Sequence, residues 1–266
     1  MYRLLLTDLD DTLLNSKGKI SDENRAAIQA AIDKGCKVAI CSGRSNMALQ
    51  KFNEYLGIKG YTIGYNGGII YTDSKVLVCH YFDKELVRDI IRYCKKMRTN
   101  VQIYQKNGLW IDRTTFFTRQ YCKKQGFKAN KVDDLINHLS DEINKVIILA
   151  SPRRLRKIER NMPQSIRQRC CTFFSHKYLF EFNPLNITKG TALTELAALL
   201  EIPIEEVIAV GDHENDIDMI KAAGLGVAVK NAIPELADVA DYVTENNCDN
   251  SPIAEIINKF VLQEEE

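Results

Sequence analysis

The sequence predicts an α/β protein with a parallel-sheet core and an inserted α+β domain. Three observations carry that reading. Short apolar runs alternate with helical periodicities at both ends of the chain, the pattern of strands buried on both faces. The middle of the chain instead mixes helices with strands in hairpin spacing. Charge divides at the same places: residues 83–184 hold 22 Lys+Arg and 10 Asp+Glu, a net +12, against 14 and 25, a net −11, in the remainder.

The elements follow in order. Leu4–Thr7 is the first buried-type strand. Ser21 is placed to cap a helix over Asp22–Lys34, with Ala27, Ile28, Ala31 and Ile32 on one face and Gly35 ending it. Lys37–Cys41 is a second strand, followed by a helix from about Ser45 to Leu56 that Gly57 ends. Tyr61–Tyr65 is a third, followed by a tight Asn66-Gly67-Gly68 turn and a hairpin of Ile69–Tyr71 with Val76–Val78 across Thr72–Lys75. In the middle, helical signals cover Lys84–Met97, Thr118–Gln125, Val132–Leu139 and Arg153–Asn161. Strands are predicted at Val101–Tyr104, Leu109–Ile111, Lys145–Ala150, Thr172–Ser175 and Tyr178–Phe182, the first two joined by a Gln105–Gly108 turn, for a largely antiparallel sheet. Alternation then returns. A helix over Gly190–Leu200 precedes the strand Glu206–Val210, a helix over 216–223 and a strand at Leu225–Val229. Ile233–Val239 is helical, Tyr242-Val243 a short strand and Ile253–Val261 the last helix. The simplest architecture is a Rossmann-like core of residues 1–82 plus 185–266, with 83–184 inserted through linkers near Phe82-Asp83 and Asn183–Asn186.

Composition narrows the class. At 45% hydrophobic and 27% charged residues, the chain reads as a soluble globular protein. No apolar stretch spans a bilayer, and Asp8 and Asp10 interrupt the N-terminal apolar run, so neither a membrane partner nor a signal peptide is expected and the compartment reads as cytoplasmic. The eight cysteines form no C-x-x-C pair, which argues against zinc and fits a reducing compartment; Cys170 and Cys171 alternate across a strand. The basic middle segment suits an anionic substrate, nucleic acid or solvated helix faces; for the cluster Arg153-Arg154-Leu155-Arg156-Lys157 a solvated face is the plainer reading. No specific nucleic-acid site and no obligate protein partner is evident.

Three polar clusters follow directly on buried-type strands: Asp8 and Asp10 after the first, Ser42-Gly43-Arg44 after the second, and Gly211-Asp212-His213-Glu214-Asn215-Asp216 after Val207–Val210. Ligands bind beyond the carboxyl ends of parallel strands, so the clusters converge if the strands are neighbours. Two carboxylates at i and i+2 beside a buried strand end ask for a metal, a shared proton or a reaction. Asp8, Asp10 and Asp212 offer hard oxygen ligands without His or Cys, a set that favours Mg²⁺. Ser42 can hydrogen-bond an oxyanion, and Lys189, opening a helix, can neutralise one. Carboxylate nucleophile, Mg²⁺, hydroxyl and lysine together fit phosphoryl transfer through an aspartyl phosphate.

On these motifs the chain resembles the haloacid dehalogenase superfamily of phosphatases, specifically its Cof-like branch with a large α/β cap (type IIB). Asp8-Leu9-Asp10-Asp11-Thr12 matches the family's D-x-D-x-T, Ser42 its second motif, Lys189 its third, and Gly211–Asp216 its G-D-x-x-N-D. The resemblance implies a cap at 83–184 that selects substrate, with Asp8 as nucleophile and Asp10 as acid and base. It implies Mg²⁺ held by Asp8, the Asp10 carbonyl and Asp212, supported by Asp216 directly or through water. Ser42, Lys189 and Asn215 would contact the phosphoryl oxygens, and Gly43, Arg44 and Asn66 lie where relatives touch phosphate or substrate. The expected activity is hydrolysis of small phosphorylated metabolites such as sugar phosphates. A phosphomutase or phosphotransferase using the same nucleophile, or a non-catalytic phospholigand-binding protein, are the alternatives. The chain departs from the family in two places: Asp11 stands where many relatives have Gly, and Asp249-Asn250-Ser251-Pro252 lacks a Gly common there. His213 reads as a solvent-facing loop residue and Trp110 as core.

Overall fold

The computed structural model describes residues 1–263 except Lys59, Asp73, Ser74 and Asn107. The tips of the two expected hairpin turns, Thr72–Lys75 and Gln105–Gly108, and the terminal Glu264–Glu266 therefore lie outside the described residues. In chain order the strands are β1 (Leu4–Thr7), β2 (Lys37–Cys41), β3 (Thr62–Gly64), β4 (Ile69–Tyr71), β5 (Val76–Cys79), β6 (Val101–Gln105), β7 (Gly108–Ile111), β8 (Asn130–Lys131), β9 (Ile143–Leu149), β10 (Cys170–His176), β11 (Leu179–Pro184), β12 (Val207–Gly211), β13 (Leu225–Ala228) and β14 (Tyr242–Val243). The helices are α1 (Asp22–Asp33), α2 (Asn46–Leu56), α3 (Lys84–Lys96), α4 (Phe116–Gln125), α5 (Pro152–Arg160), α6 (Gln164–Arg167), α7 (Lys189–Leu199), α8 (Ile217–Ala222), α9 (Pro234–Ala237) and α10 (Pro252–Phe260).

The chain forms two compact units. One comprises Met1–Arg44, Leu49–Val78 and Thr188–Glu266, the other Ser45–Ala48 and Cys79–Ile187. Phe82 belongs to the second: its N–H donates to the Ile143 carbonyl at 2.8 Å and its ring lies in that unit's apolar core.

The first unit is built on a sheet ordered β14-β13-β12-β1-β2-β3-β4-β5. β14 through β3 run parallel and β4 is antiparallel to β3. The pleat explains the continuous apolar runs. Leu4, Leu6, Ala39, Cys41, Val207 and Ala209 pack on one face with Leu193 and Leu196 of α7, while Leu5, Ile40 and Ile208 are equally buried. Ser21 caps α1 as expected, its Oγ accepting the Asn24 N–H at 3.2 Å. The second unit's sheet is ordered β10-β11-β9-β6-β7-β8, antiparallel except at β7–β8. Its apolar core joins Val101, Ile103, Val146, Ile148, Phe180 and Phe182 to residues of α3 and α5.

The structure corrects one element. Val132–Leu139 is not a helix; only Ile136–His138 makes a single 3₁₀ turn. Val132, Leu135 and Leu139 have helical spacing, but the Val132 N–H donates to the Ile111 carbonyl at 2.9 Å, extending the line of β8. The Gln105 side chain then takes the His138 carbonyl (2.8 Å) and the Ser140 N–H (2.9 Å), partners a longer helix would have used. In the basic cluster on α5, Arg153, Arg156 and Lys157 are exposed and Leu155 is buried, while the half-buried Arg154 caps the end of α3, its guanidinium donating to the Met97 and Arg98 carbonyls. All eight cysteines are free thiols. Among the described residues, no helix is long and apolar enough to cross a membrane.

Candidate active site at the carboxyl ends of β12, β1 and β2

β1 lies between β12 and β2, and chain order runs outward from it in both directions, so the carboxyl ends of these strands form a switch-point crevice. Asp8 leaves β1 with its N–H on the Val210 carbonyl at 2.8 Å. Its side chain is buried, and Oδ1 accepts from Lys189 Nζ at 2.5 Å. Lys189 is fully buried at the first position of α7, whose Thr188 cap receives the Thr191 N–H at 3.2 Å. The same ammonium donates to Asp216 Oδ1 at 2.5 Å. Asp216 Oδ2 accepts the N–H groups of Asp212 and His213, each at 3.1 Å, which pins the loop after β12. Asp212 Oδ1 accepts from Thr12 Oγ1 at 2.9 Å. Oxygens of Asp8, Asp212 and Asp216 lie within 4.8 Å of one another.

Glycines make this closeness possible. A Cβ on Gly211 would stand 2.5 Å from Asp216 Cβ, and one on Gly67 would stand 2.3 Å from the Thr188 carbonyl oxygen, just before Lys189. Only glycine permits either approach.

Burial and the neighbouring charges set the ionisation. Burial pushes the Asp8 carboxyl up to about 7, with Lys189 pulling down and Asp216 pushing up. Asp212 is held well above the usual carboxylate range, first by burial, then by the charges of Asp8 and Asp216. Burial alone would lower the Lys189 ammonium, but the carboxylates of Asp216 and Asp8 outweigh it and hold it well above its ordinary value. One ammonium cannot balance three crowded carboxyls once all of them are ionised. The all-oxygen donor set fits a hard divalent cation such as Mg²⁺, with Asp8, Asp212 and Asp216 able to hold it.

The second cluster closes the other side. Ser42 is buried, its N–H on the Ile63 carbonyl at 2.9 Å, and its Oγ accepts the Arg44 N–H at 3.3 Å. Asn66 sits in the left-handed region (φ 55°), its N–H on the Ser42 carbonyl at 3.0 Å and its Oδ1 accepting from Asn215 Nδ2 at 3.1 Å. The Arg44 guanidinium grips both oxygens of Asp10, at 2.8 and 2.7 Å. Gly43 lies between Ser42 and Arg44 and is half-buried. His213 is not solvent-facing as expected: it is half-buried, its N–H donates to Asp216 Oδ2 and its Nδ1 is buried, while Trp110 packs against the second unit's core.

Sequence reasoning left three features unread. Asp11 and Ser251 both adopt φ 59°, and they fall in the two stretches that depart from the family pattern, so the departures themselves were the signal. Thr12, named only as part of the motif, ties to Asp212. Asn231 ties the Asp11 carbonyl (2.7 Å) to the Cys248 N–H (2.8 Å), and no sequence pattern marks it.

A profile of haloacid dehalogenase-like hydrolases matches residues 5–257. The chain is similar to the 5-amino-6-(5-phospho-D-ribitylamino)uracil phosphatase YcsE of Bacillus subtilis strain 168, at 33% identity over 98% of this chain and 96% of that protein. It is also similar to phosphatase YwpJ of the same organism, at 32% identity over 92% and 95%. The crystal structure of a haloacid dehalogenase-like hydrolase from Bacteroides thetaiotaomicron superposes with a TM-score of 0.87 at 26% identity, over 97% of this chain and 99% of the other. With four motifs brought to one crevice and a profile match over nearly its whole length, this chain belongs to the haloacid dehalogenase-like hydrolase family.

Proposed function

We propose that the protein is a Mg²⁺-dependent phosphatase of small phosphorylated metabolites, sugar phosphates or similar phosphomonoesters, acting through an aspartyl phosphate. The observation that carries the reading is the fully buried Lys189 ammonium shared by Asp8 and Asp216, with Asp212 beside them. It fixes one carboxylate oxygen of Asp8 in place and leaves the other for attack on phosphorus. The relatives named as phosphatases support the same class of reaction.

In the first step an Asp8 oxygen bonds to phosphorus, the bond from phosphorus to the leaving oxygen breaks, and Asp10 gives that oxygen a proton. In the second, water attacks the phosphorus of the aspartyl phosphate, Asp10 takes its proton, and the acyl–phosphate bond breaks to return Asp8 and release phosphate. Lys189, Ser42 and Asn215 neutralise and orient the phosphoryl oxygens. Mg²⁺, held by Asp8, the Asp10 carbonyl, Asp212 and Asp216, would supply charge to the same oxygens when bound. Residues 83–184 select the leaving group.

The test is phosphate release from a panel of phosphorylated metabolites with Mg²⁺ or EDTA, for wild type and Asp8→Asn. Release that needs Mg²⁺ and vanishes in Asp8→Asn is expected. Release that survives in Asp8→Asn would overturn the nucleophile assignment.

A further inference from the structure

We propose that Arg44 is a positioning residue for Asp10 and not a ligand of the substrate phosphate. The inference rests on the reading of Asp10 as acid and base. Arg44 Nε donates to Asp10 Oδ2 at 2.8 Å and Nη2 to Oδ1 at 2.7 Å. Two parallel bonds from one planar group fix the plane of the carboxylate as well as its position, which a point charge cannot do. Asp10 needs such a hold. It lies in an irregular turn between Asp8 and the left-handed Asp11, and its side chain is 34% exposed against 7% for Arg44.

Arg44 is itself anchored. Its carbonyl accepts the Tyr65 N–H at 3.0 Å, its N–H donates to Ser42 Oγ at 3.3 Å, and its guanidinium lies over the Phe52 ring, 5.4 Å from the centroid. The grip is thus built from β2 onto the loop after β1. A guanidinium matched to a carboxylate is also partly neutralised, which weakens any claim it has on a phosphoryl dianion, whereas Lys189 already stands at the nucleophile. An acid and base held in register serves proton transfer to the leaving oxygen, where a displacement near 1 Å costs on the order of 10²-fold in rate.

The experiment measures kcat and KM for wild type, Arg44→Met, Arg44→Lys, Asp10→Asn and the Asp10→Asn/Arg44→Met double variant. It uses an alkyl phosphate that wild type hydrolyses and 4-nitrophenyl phosphate, whose leaving group departs without a proton. For a positioning residue, Arg44→Met lowers kcat on the alkyl phosphate about 10²-fold, with KM within a factor of about three and a smaller loss on 4-nitrophenyl phosphate. Arg44→Lys rescues little, because a lysine cannot make the fork, and Arg44→Met adds almost nothing on the Asp10→Asn background. A raised KM with kcat kept, rescue by Arg44→Lys, or full additivity with Asp10→Asn would each overturn the proposal and make Arg44 a phosphate ligand. If Asp10→Asn alone left kcat unchanged, the failure would instead lie with the acid–base reading of Asp10. Urea unfolding of each variant separates these outcomes from lost folding.

Discussion

Gly211→Ala is the sharpest test of how the site is assembled, because the perturbation is one methyl group outside the reacting atoms. That methyl would stand 2.5 Å from Asp216 Cβ, 2.6 Å from Cγ and 2.8 Å from Oδ2. Non-bonded carbons rest about 3.5–4.0 Å apart, so Asp216 or the strand end must retreat by about 1 Å. Asp216 has no slack to give: Oδ1 holds Lys189 at 2.5 Å, and Oδ2 holds the Asp212 and His213 amides at 3.1 Å. A retreat of that size takes the amide contacts to about 4 Å, beyond a hydrogen bond. Overpacking costs about 1–3 kcal/mol, and a lost hydrogen bond to a charged group about 1.5–3 kcal/mol. Together these predict destabilisation of about 3–6 kcal/mol, a large share of the ~5–15 kcal/mol that holds a typical protein folded. Displacing Asp212 and Lys189 with their partner also predicts a loss of about 10²-fold in kcat/KM. Urea unfolding followed by circular dichroism, with phosphate release on the same preparations, measures both. Gly60→Ala is the control: nothing lies within 4 Å of its Cβ and its φ is ordinary, so it stays within about 0.5 kcal/mol. Stability within about 1 kcal/mol of wild type for Gly211→Ala, with activity within threefold, would refute the tether through Asp216.

Asp11→Gly should be neutral or stabilising by up to about 1 kcal/mol, since glycine takes φ 59° freely at some entropic cost, while a β-branched Asp11→Val should destabilise by about 1–3 kcal/mol, both read by urea unfolding. The Asp8 carboxyl, pushed by burial up to about 7 from the unfolded value near 3.9, binds a proton in the folded state that the unfolded chain has released. Stability in EDTA should therefore fall as pH rises from about 4 to about 7. A divalent cation favours the ionised form, so Mg²⁺ should raise Tm more at pH 8 than at pH 5; an equal shift at both would count against the acidic cluster as its site. In the second unit the Lys145–Glu181 pair (2.6 Å) is almost fully buried, so Lys145→Met should cost about 3–5 kcal/mol, and Lys145→Met/Glu181→Leu should recover most of it in the same assay.

The fold was legible where physics acts on contiguous residues. A parallel strand buried on both faces must be apolar throughout, and β1, β2 and β12 announce themselves so; the polar residue that ends each run marks the carboxyl end where a site belongs. Legibility failed where partners are distant in sequence. Val132 has the spacing of a helix, and only the Ile111 carbonyl, which no local pattern reveals, takes its N–H into an extended line. The motifs placed Asp8, Lys189 and Asp216 in one site, but not the sharing of one ammonium between residues 181 and 27 positions away. The resemblance sets Arg44 where relatives touch phosphate or substrate; it does not foretell the ion pair that Arg44 makes with Asp10, 34 positions earlier.

The loop after β1 shows why that internal wiring matters. In five residues it makes four ties: Asp8 to Lys189 at the start of α7, Asp10 to Arg44 after β2, the Asp11 carbonyl to Asn231 after β13, and Thr12 to Asp212 after β12. A regular strand would send Asp8, Asp10 and Thr12 to one side, toward one neighbour. The left-handed Asp11 reverses the chain between Asp10 and Thr12, so that these two side chains part toward opposite neighbours of β1. In this chain position 11 takes the left-handed conformation without a glycine. An aspartate meets it because its short polar side chain tolerates that region better than other L-residues do. Ser251 likewise holds φ 59°, at the cap of α10, where its Oγ bonds Ser21 Oγ at 2.8 Å and Glu23 at 3.2 Å and so ties α10 to the start of α1. At both positions the chain keeps the turn and adds a side chain a glycine would lack, and at Ser251 that side chain makes contacts across the fold.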